Sequence, residues 1–259
     1  MNLARSPESS RQHQRPRMKP LAQQNTWSLG NAGRCTQLSI AYPDPMSEKK
    51  LSLVKAEREE LANLLAELGP NQPTLCSGWE TQDLLAHLVT RERRPDSAAG
   101  VVIPALKSWR AKVEATYAAK DYLNLVQDFR SGPTLLSPFA IPFVDNMANL
   151  IQFVIHHEDV RRGNPNWVAR TGIAELQSEI KKRLPKFAFL ALRKSAVGVV
   201  MIDHESTQYW LKRGGAVVEL RGEPIEILLY LTGRQVNANV TVQGSPAALA
   251  TFERMKFGF

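Results

Sequence analysis

One stretch of the chain constrains its folding more than any other. Residues 143–162 have the length and spacing of a helix, stopped by Gly163-Asn164-Pro165, and end in Gln152-Phe-Val-Ile-His156-His157-Glu158-Asp159-Val160-Arg161-Arg162. On a helix, Gln152, His156 and Asp159 fall on one face, while Phe153, Val154, Ile155 and Val160 supply apolar packing around it. A polar stripe on an otherwise apolar helix is costly to bury unless other groups satisfy it. Partners are therefore expected on neighbouring helices, with His157 and Glu158 turned outward, to meet solvent or the second domain.

The preceding sequence supplies such helices. Residues 47–68, with Ser47 as N-cap and Val54, Leu61, Leu64, Leu65 and Leu68 at helical spacing, form the first, ended by Gly69-Pro70. A loop over 71–80 leads to a second helix, capped by Thr81 and stopped at Pro95. Residues 104–129 suit one long third helix beginning at Pro104. With 143–162 these make a four-helix bundle. Beyond Pro165 the texture changes. A helical pattern over 171–184 precedes strands at Phe189–Leu192, Val197–Ile202, Gln208–Lys212 and Ala216–Leu220, with Gly214-Gly215 as a hairpin turn. A helix over Glu223–Leu231, a strand over Ala238–Gln243 and a closing helix through Arg254 complete a small α/β region. The fold class is α+β, with a bundle over 47–165 and a second domain over 166–259.

Residues 1–46 are rich in Gln, Asn, Ser, Arg and Pro without hydrophobic period, the composition of a disordered extension, and translation is expected to begin at Met46. Half of the formal net charge of +8 lies in the first 45 residues. Elsewhere basic residues alternate with acids, as in Lys55–Glu60 and Arg91–Arg94, which reads as a solvated mixed-charge surface rather than a nucleic-acid stripe. No run approaches the roughly 20 apolar residues of a membrane span. Cys35 and Cys76 form no metal-binding or disulfide pattern, which fits a reducing, cytoplasmic setting.

Three of the five histidines, His87, His156 and His157, lie on bundle helices. His87, within Asp83-Leu-Leu-Ala-His87-Leu, is the candidate partner of His156, either through a shared metal ion or as one of two histidines hydrogen-bonded to carboxylates. Asp83 either orients His87 or caps its helix. Cys76 reads as a packed loop cysteine, with a reactive thiol as the alternative, and Trp79 as a loop anchor.

Residues 74–95, Thr-Leu-Cys-Ser-Gly-Trp-Glu-Thr-Gln-Asp-Leu-Leu-Ala-His-Leu-Val-Thr-Arg-Glu-Arg-Arg-Pro, together with the block His156–Arg162 and the run Leu229–Arg234, resemble an actinobacterial family of the DinB/mycothiol-dependent maleylpyruvate isomerase superfamily. The resemblance covers residues 47–259. It implies a DinB-like four-helix bundle holding a divalent metal, zinc or alternatively nickel, and a sterol-carrier-like α/β C-terminal domain. It maps the family's histidine ligands onto His87 and His156, and its glutamate ligand onto Gln152. Glutamine is neutral and a poor zinc ligand, so this departure weakens the site, with Asp159 as a compensating ligand or as a support for His156. The implied activity is a thiol-dependent isomerisation or transfer on a small electrophilic acid, with mycothiol as the thiol and Arg234 as a clamp for the substrate carboxylate. The alternative for Arg234 is a surface arginine at a helix C-terminus. The competing functions are a non-catalytic metal or small-molecule binder and a structural relic without metal. A monomer or homodimer is expected, with small molecules rather than nucleic acid or membrane as partners.

Overall fold

The computed structural model describes residues 45–94, 96, 104–204 and 206–258. The expected disordered extension falls outside these residues except for its last two, and Cys35 lies outside them altogether. Helix α1 spans Pro45–Leu68 and buries Val54, Leu61 and Leu65. It ends where Gly69 takes φ +78° and returns its N–H to the Leu65 carbonyl at 3.1 Å, the left-handed stop that glycine adopts without steric cost. Because the helix begins at Pro45, Ser47 lies within it and is not its cap. Helix α2 spans Thr81–Arg93 and starts with a reciprocal capping box between Glu80 and Asp83. Asp83 accordingly caps the helix, and Thr81, expected as the cap, instead donates its hydroxyl to the Gly69 carbonyl.

The single helix expected over 104–129 is two. Helix α3 covers Lys107–Ala118 and α4 covers Tyr122–Ser131. Asp121 restarts the chain by accepting a 2.9 Å bond from the Asn124 N–H, a local cap that competes with a continuous helix. Helix α5, Pro142–Arg162, packs along α1, while α4 packs against both α1 and α2. The result is a four-helix bundle whose third member is broken.

Helix α6, Ala174–Ala191, absorbs residues expected to form the strand Phe189–Leu192. Ile180, Leu184 and Ala188 are buried at helical spacing, and Pro185 sits on the exposed side, so the apolar face continues through it. Strands β1 (Gly198–Ile202), β2 (Gln208–Lys212), β3 (Val217–Arg221) and β4 (Thr241–Gly244) form one mixed sheet in the order β2-β1-β3-β4, with α7 (Pro224–Leu231) before β4 and α8 (Pro246–Glu253) after it. The chain is α+β. Gly214-Gly215 does not turn a hairpin, because β2 and β3 flank β1 on opposite sides. The link between them crosses β1 at Gly198, where a Cβ would lie 2.8 Å from the Gly214 nitrogen, and one on Gly214 would lie 2.3 Å from the Gly198 nitrogen. The glycines serve a close backbone approach rather than a turn.

The described residues from Pro45 onward form a single compact unit, and the apolar core runs continuously from the bundle into the sheet region. An ionic seam joins the two. His157 and Glu158, expected to meet solvent or the second domain, are buried: His157 Nδ1 lies 2.9 Å from Glu57, Arg170 reaches both Glu57 and Glu158, and Arg162 bridges Glu158 to Glu226 on α7. The C-terminal half covers this face of α5. Parts of the mixed-charge runs are buried too. Arg58 lies 4.8 Å over the Phe153 ring and pairs with Glu92 and Asp145. Among the described residues no helix is long and apolar enough to cross a membrane.

Candidate metal centre

His87 on α2 and His156 on α5 meet edge to face, with ring centroids 5.6 Å apart, and the Trp79 ring lies 5.1 Å from His87. Each imidazole turns Nδ1 toward a carboxylate. His87 Nδ1 is 3.1 Å from Glu114 Oε1 on α3, and Arg110 donates to the same oxygen from one turn away at 3.0 Å. His156 Nδ1 is 3.0 Å from Asp159 Oδ2. Neither Nε2 makes a hydrogen bond among the described residues. Burial holds the His87 pKa below its ordinary value; Glu114 acts against this shift, and the nearby His156 and Arg110 act with it, so the ring is neutral near pH 7. For Glu114 burial opposes ionisation, but the bonds from His87 and Arg110 prevail and keep its pKa low.

Asp159 is fully buried and gathers four donors. Besides His156, Arg234 gives a fork, Nε to Oδ1 at 2.8 Å and Nη2 to Oδ2 at 2.7 Å, and the Cys76 thiol donates to Oδ2 at 3.2 Å. Burial opposes its ionisation; the His156 and Arg234 bonds outweigh that and hold the carboxyl below its usual range. Cys76 is pushed the other way, to about 12, first by burial and then by the Asp159 charge, with Arg234 only partly offsetting them. It is a protonated thiol.

A glycine brings Cys76 here. Gly163 ends α5 with ordinary helical φ, and a Cβ on it would lie 2.0 Å from the Pro73 carbonyl oxygen. Only a bare backbone lets the 73–76 loop rest on the helix end, where Leu75 N–H bonds the Asp159 carbonyl at 3.0 Å. The Cys76, His156 and Asp159 donor atoms lie within 4.8 Å of one another. A second acidic group, Glu57, Glu60 and His157, is already occupied by the Arg170 guanidinium.

Residues 54–136 match the family model described as the mycothiol maleylpyruvate isomerase N-terminal domain. That helical region is similar to the N-terminal domain of that isomerase family. Two solved structures extend the likeness over 76% of this chain and 92% of theirs. They are the mycothiol-dependent maleylpyruvate isomerase, at 18% identity and TM-score 0.50, and a histidine-to-alanine variant of it, at 17% identity and TM-score 0.54. At these identities the likeness speaks for the fold. No curated protein matches the sequence.

Of the residues singled out in the sequence, His87, His156 and Asp159 converge. Gln152 lies one turn before His156, half-buried, and its side chain makes no hydrogen bond among the described residues. Arg234 is neither a surface arginine nor a free clamp; its guanidinium is spent on Asp159 and, through Nη1, on the Thr232 carbonyl at 2.6 Å. Glu114 and Arg110 were not foreseen, since their approach to His87 is purely tertiary. Cys76 was foreseen as packed, but not beside Asp159.

Proposed function

We propose that this protein holds one divalent metal ion between His87 and His156 and uses it in thiol-dependent chemistry on a small electrophilic acid. The observation that carries the reading is the pair of carboxylate-backed imidazoles with both Nε2 atoms unengaged, the arrangement that metal-ligating histidines adopt. The spacing is compatible. An ion about 2 Å from each imidazole nitrogen lies roughly 3.2 Å from each ring centroid, so tetrahedral ligands place the centroids about 5 Å apart; they stand 5.6 Å apart.

Such an ion, zinc or nickel, would act as a Lewis acid and favour the thiolate form of a thiol such as mycothiol near neutral pH. The chain's own residues fix the rest. Glu114 and Asp159 set the tautomers and orient both rings. Arg234 neutralises Asp159 and ties the imidazole support to the C-terminal half. With its oxygens taken by His156, Arg234 and Cys76, Asp159 supports rather than ligates. Gln152, where the superfamily resemblance places a glutamate ligand, leaves the ion without an anionic donor and lowers its affinity. That same residue favours a second reading, a metal or small-molecule binder whose catalytic site has degenerated. The Cys76–His156–Asp159 triad is the alternative donor set, disfavoured by the Arg234 cation bound to its carboxylate. We place the protein in a cytoplasmic setting, as a monomer or homodimer.

The test is elemental analysis of protein expressed from Met46, beside the variant His87→Ala. About one equivalent of zinc or nickel, lost in the variant and bound more tightly in Gln152→Glu, supports the site. Turnover of maleylpyruvate with mycothiol then separates enzyme from binder. Absence of metal from both proteins, even after incubation with divalent ions, overturns the proposal.

A further inference from the structure

A cavity of about 690 Å³ lies away from the histidines, between the end of α6 and the segment after α8. Its volume is that of a site for a drug-sized molecule. Leu190, Leu231, Met255 and Phe257 give it an apolar floor. Four cations, Arg193, Lys194, Arg254 and Lys256, line it, and no acidic residue does. Among the described residues the side chains of Arg193, Lys194 and Lys256 have no hydrogen-bond or ion-pair partner, and Arg254 has only a 3.5 Å contact to the Thr251 hydroxyl.

Both walls are held in place. Lys212 donates to the carbonyls of Leu192 and Ser195, pinning the loop that carries Arg193 and Lys194. The Phe257 ring lies 5.3 Å from Phe252 and 5.7 Å from Tyr230, which anchors the segment carrying Arg254 and Lys256. Four like charges line one cavity with no acidic residue among the described lining residues; they repel one another, and an anion relieves that repulsion. An inorganic anion would leave the apolar floor wet; a neutral apolar molecule would leave the cations unmet. We propose that this cavity binds an anionic amphiphile, an acyl chain ending in a carboxylate, with the chain on Leu190, Leu231, Met255 and Phe257 and the head among the four cations. This site is independent of the metal centre.

The test is titration of the full chain with dansyl-undecanoic acid, read by fluorescence, with dodecanoate, dodecanol and inorganic phosphate as competitors. Saturable binding that dodecanoate displaces at least about tenfold better than either other competitor is expected, weakening as salt rises. Two charge reversals on separate walls, Arg193→Glu/Lys194→Glu and Arg254→Glu/Lys256→Glu, should each weaken binding at least about tenfold while leaving the circular dichroism and metal content unchanged. Having two keeps the test sound if one variant misfolds. Absence of saturable probe binding, equal competition by dodecanol, competition by phosphate alone, or unchanged binding in a folded variant overturns the proposal.

Discussion

Replacing Arg162 with methionine should destabilise the protein by about 3–5 kcal/mol, the usual cost of breaking a buried ion pair from one side. The arginine is 2% exposed and donates to Glu158 at 2.6 Å, to both Glu226 oxygens at 2.6 and 2.9 Å, and to the Asn237 carbonyl, while its plane lies 4.1 Å over the Trp167 ring. Methionine keeps much of the stem and its packing, so the loss is mainly electrostatic. Glu158 retains Arg170 at 2.6 Å, but Glu226 retains only the Asn239 N–H at 2.7 Å. The penalty therefore falls on Glu226, and the double variant Arg162→Met/Glu226→Gln should recover about 1–2 kcal/mol by removing the stranded charge. In urea unfolding, with a slope near 3 kcal/mol/M for a unit of this size, the single variant should lower the midpoint by roughly 1–2 M and the double by visibly less. A single-variant loss below about 1 kcal/mol, or a double variant no more stable than the single, would refute the assignment of the seam as a coupled charge network.

Acid should weaken the fold. Burial raises the carboxyl pKa values of Glu57 and Glu158, but their histidine and arginine partners outweigh it and hold them below 4.5, so the unfolded chain takes up more protons in that range. Their contribution is complete above about pH 5 and lost as pH falls through 4.5 and below; Glu92, raised by burial, acts in the opposite sense, and urea midpoints at pH 7 and pH 4 measure the balance. Cys76, with its pKa near 12, is about one part in ten thousand thiolate at pH 8, so iodoacetamide should alkylate it about a thousandfold more slowly in the folded chain from Met46 than in urea. Asp159→Asn should speed that alkylation, and an unchanged rate would count against the thiol–carboxylate contact. Gly163→Ala should cost several kcal/mol, on the order of the larger single-residue effects, and expose Cys76, because the new methyl displaces the 73–76 loop; thermal melting and thiol labelling check both.

Much of the bundle could be read from apolar spacing, and the pairing of His156 with Asp159 from their separation of one turn on a single face. The misreadings have physical causes. Residues 189–192 are apolar enough for a strand, yet their burial follows a helix already begun at Ala174. Gly214 signals a turn to any local reading, while its function is to pass within contact of Gly198, sixteen positions earlier in the chain. Gly163 likewise reads as a helix stop, and its second function, admitting Pro73, leaves no local trace. Glu114 reaches His87 across 27 residues, so no sequence window holds both. His157 turns from the bundle's stripe to Glu57 on α1, 100 positions earlier, and Glu158 meets Arg170 beyond the helix end, so neither burial can be read from α5 alone.

The Arg234–Asp159 fork bears on how relatives of this protein can exchange parts. Its two members stand 75 positions apart, the acid on a bundle helix and the base just beyond α7. A recombination event anywhere between them hands the descendant one parent's carboxylate and the other's loop. Unless that loop carries an arginine in the same place, the chimera inherits a buried anion with half its donors missing, pressed against the histidine it was meant to steady. Bundle and sheet are therefore heritable as a matched pair rather than as interchangeable modules.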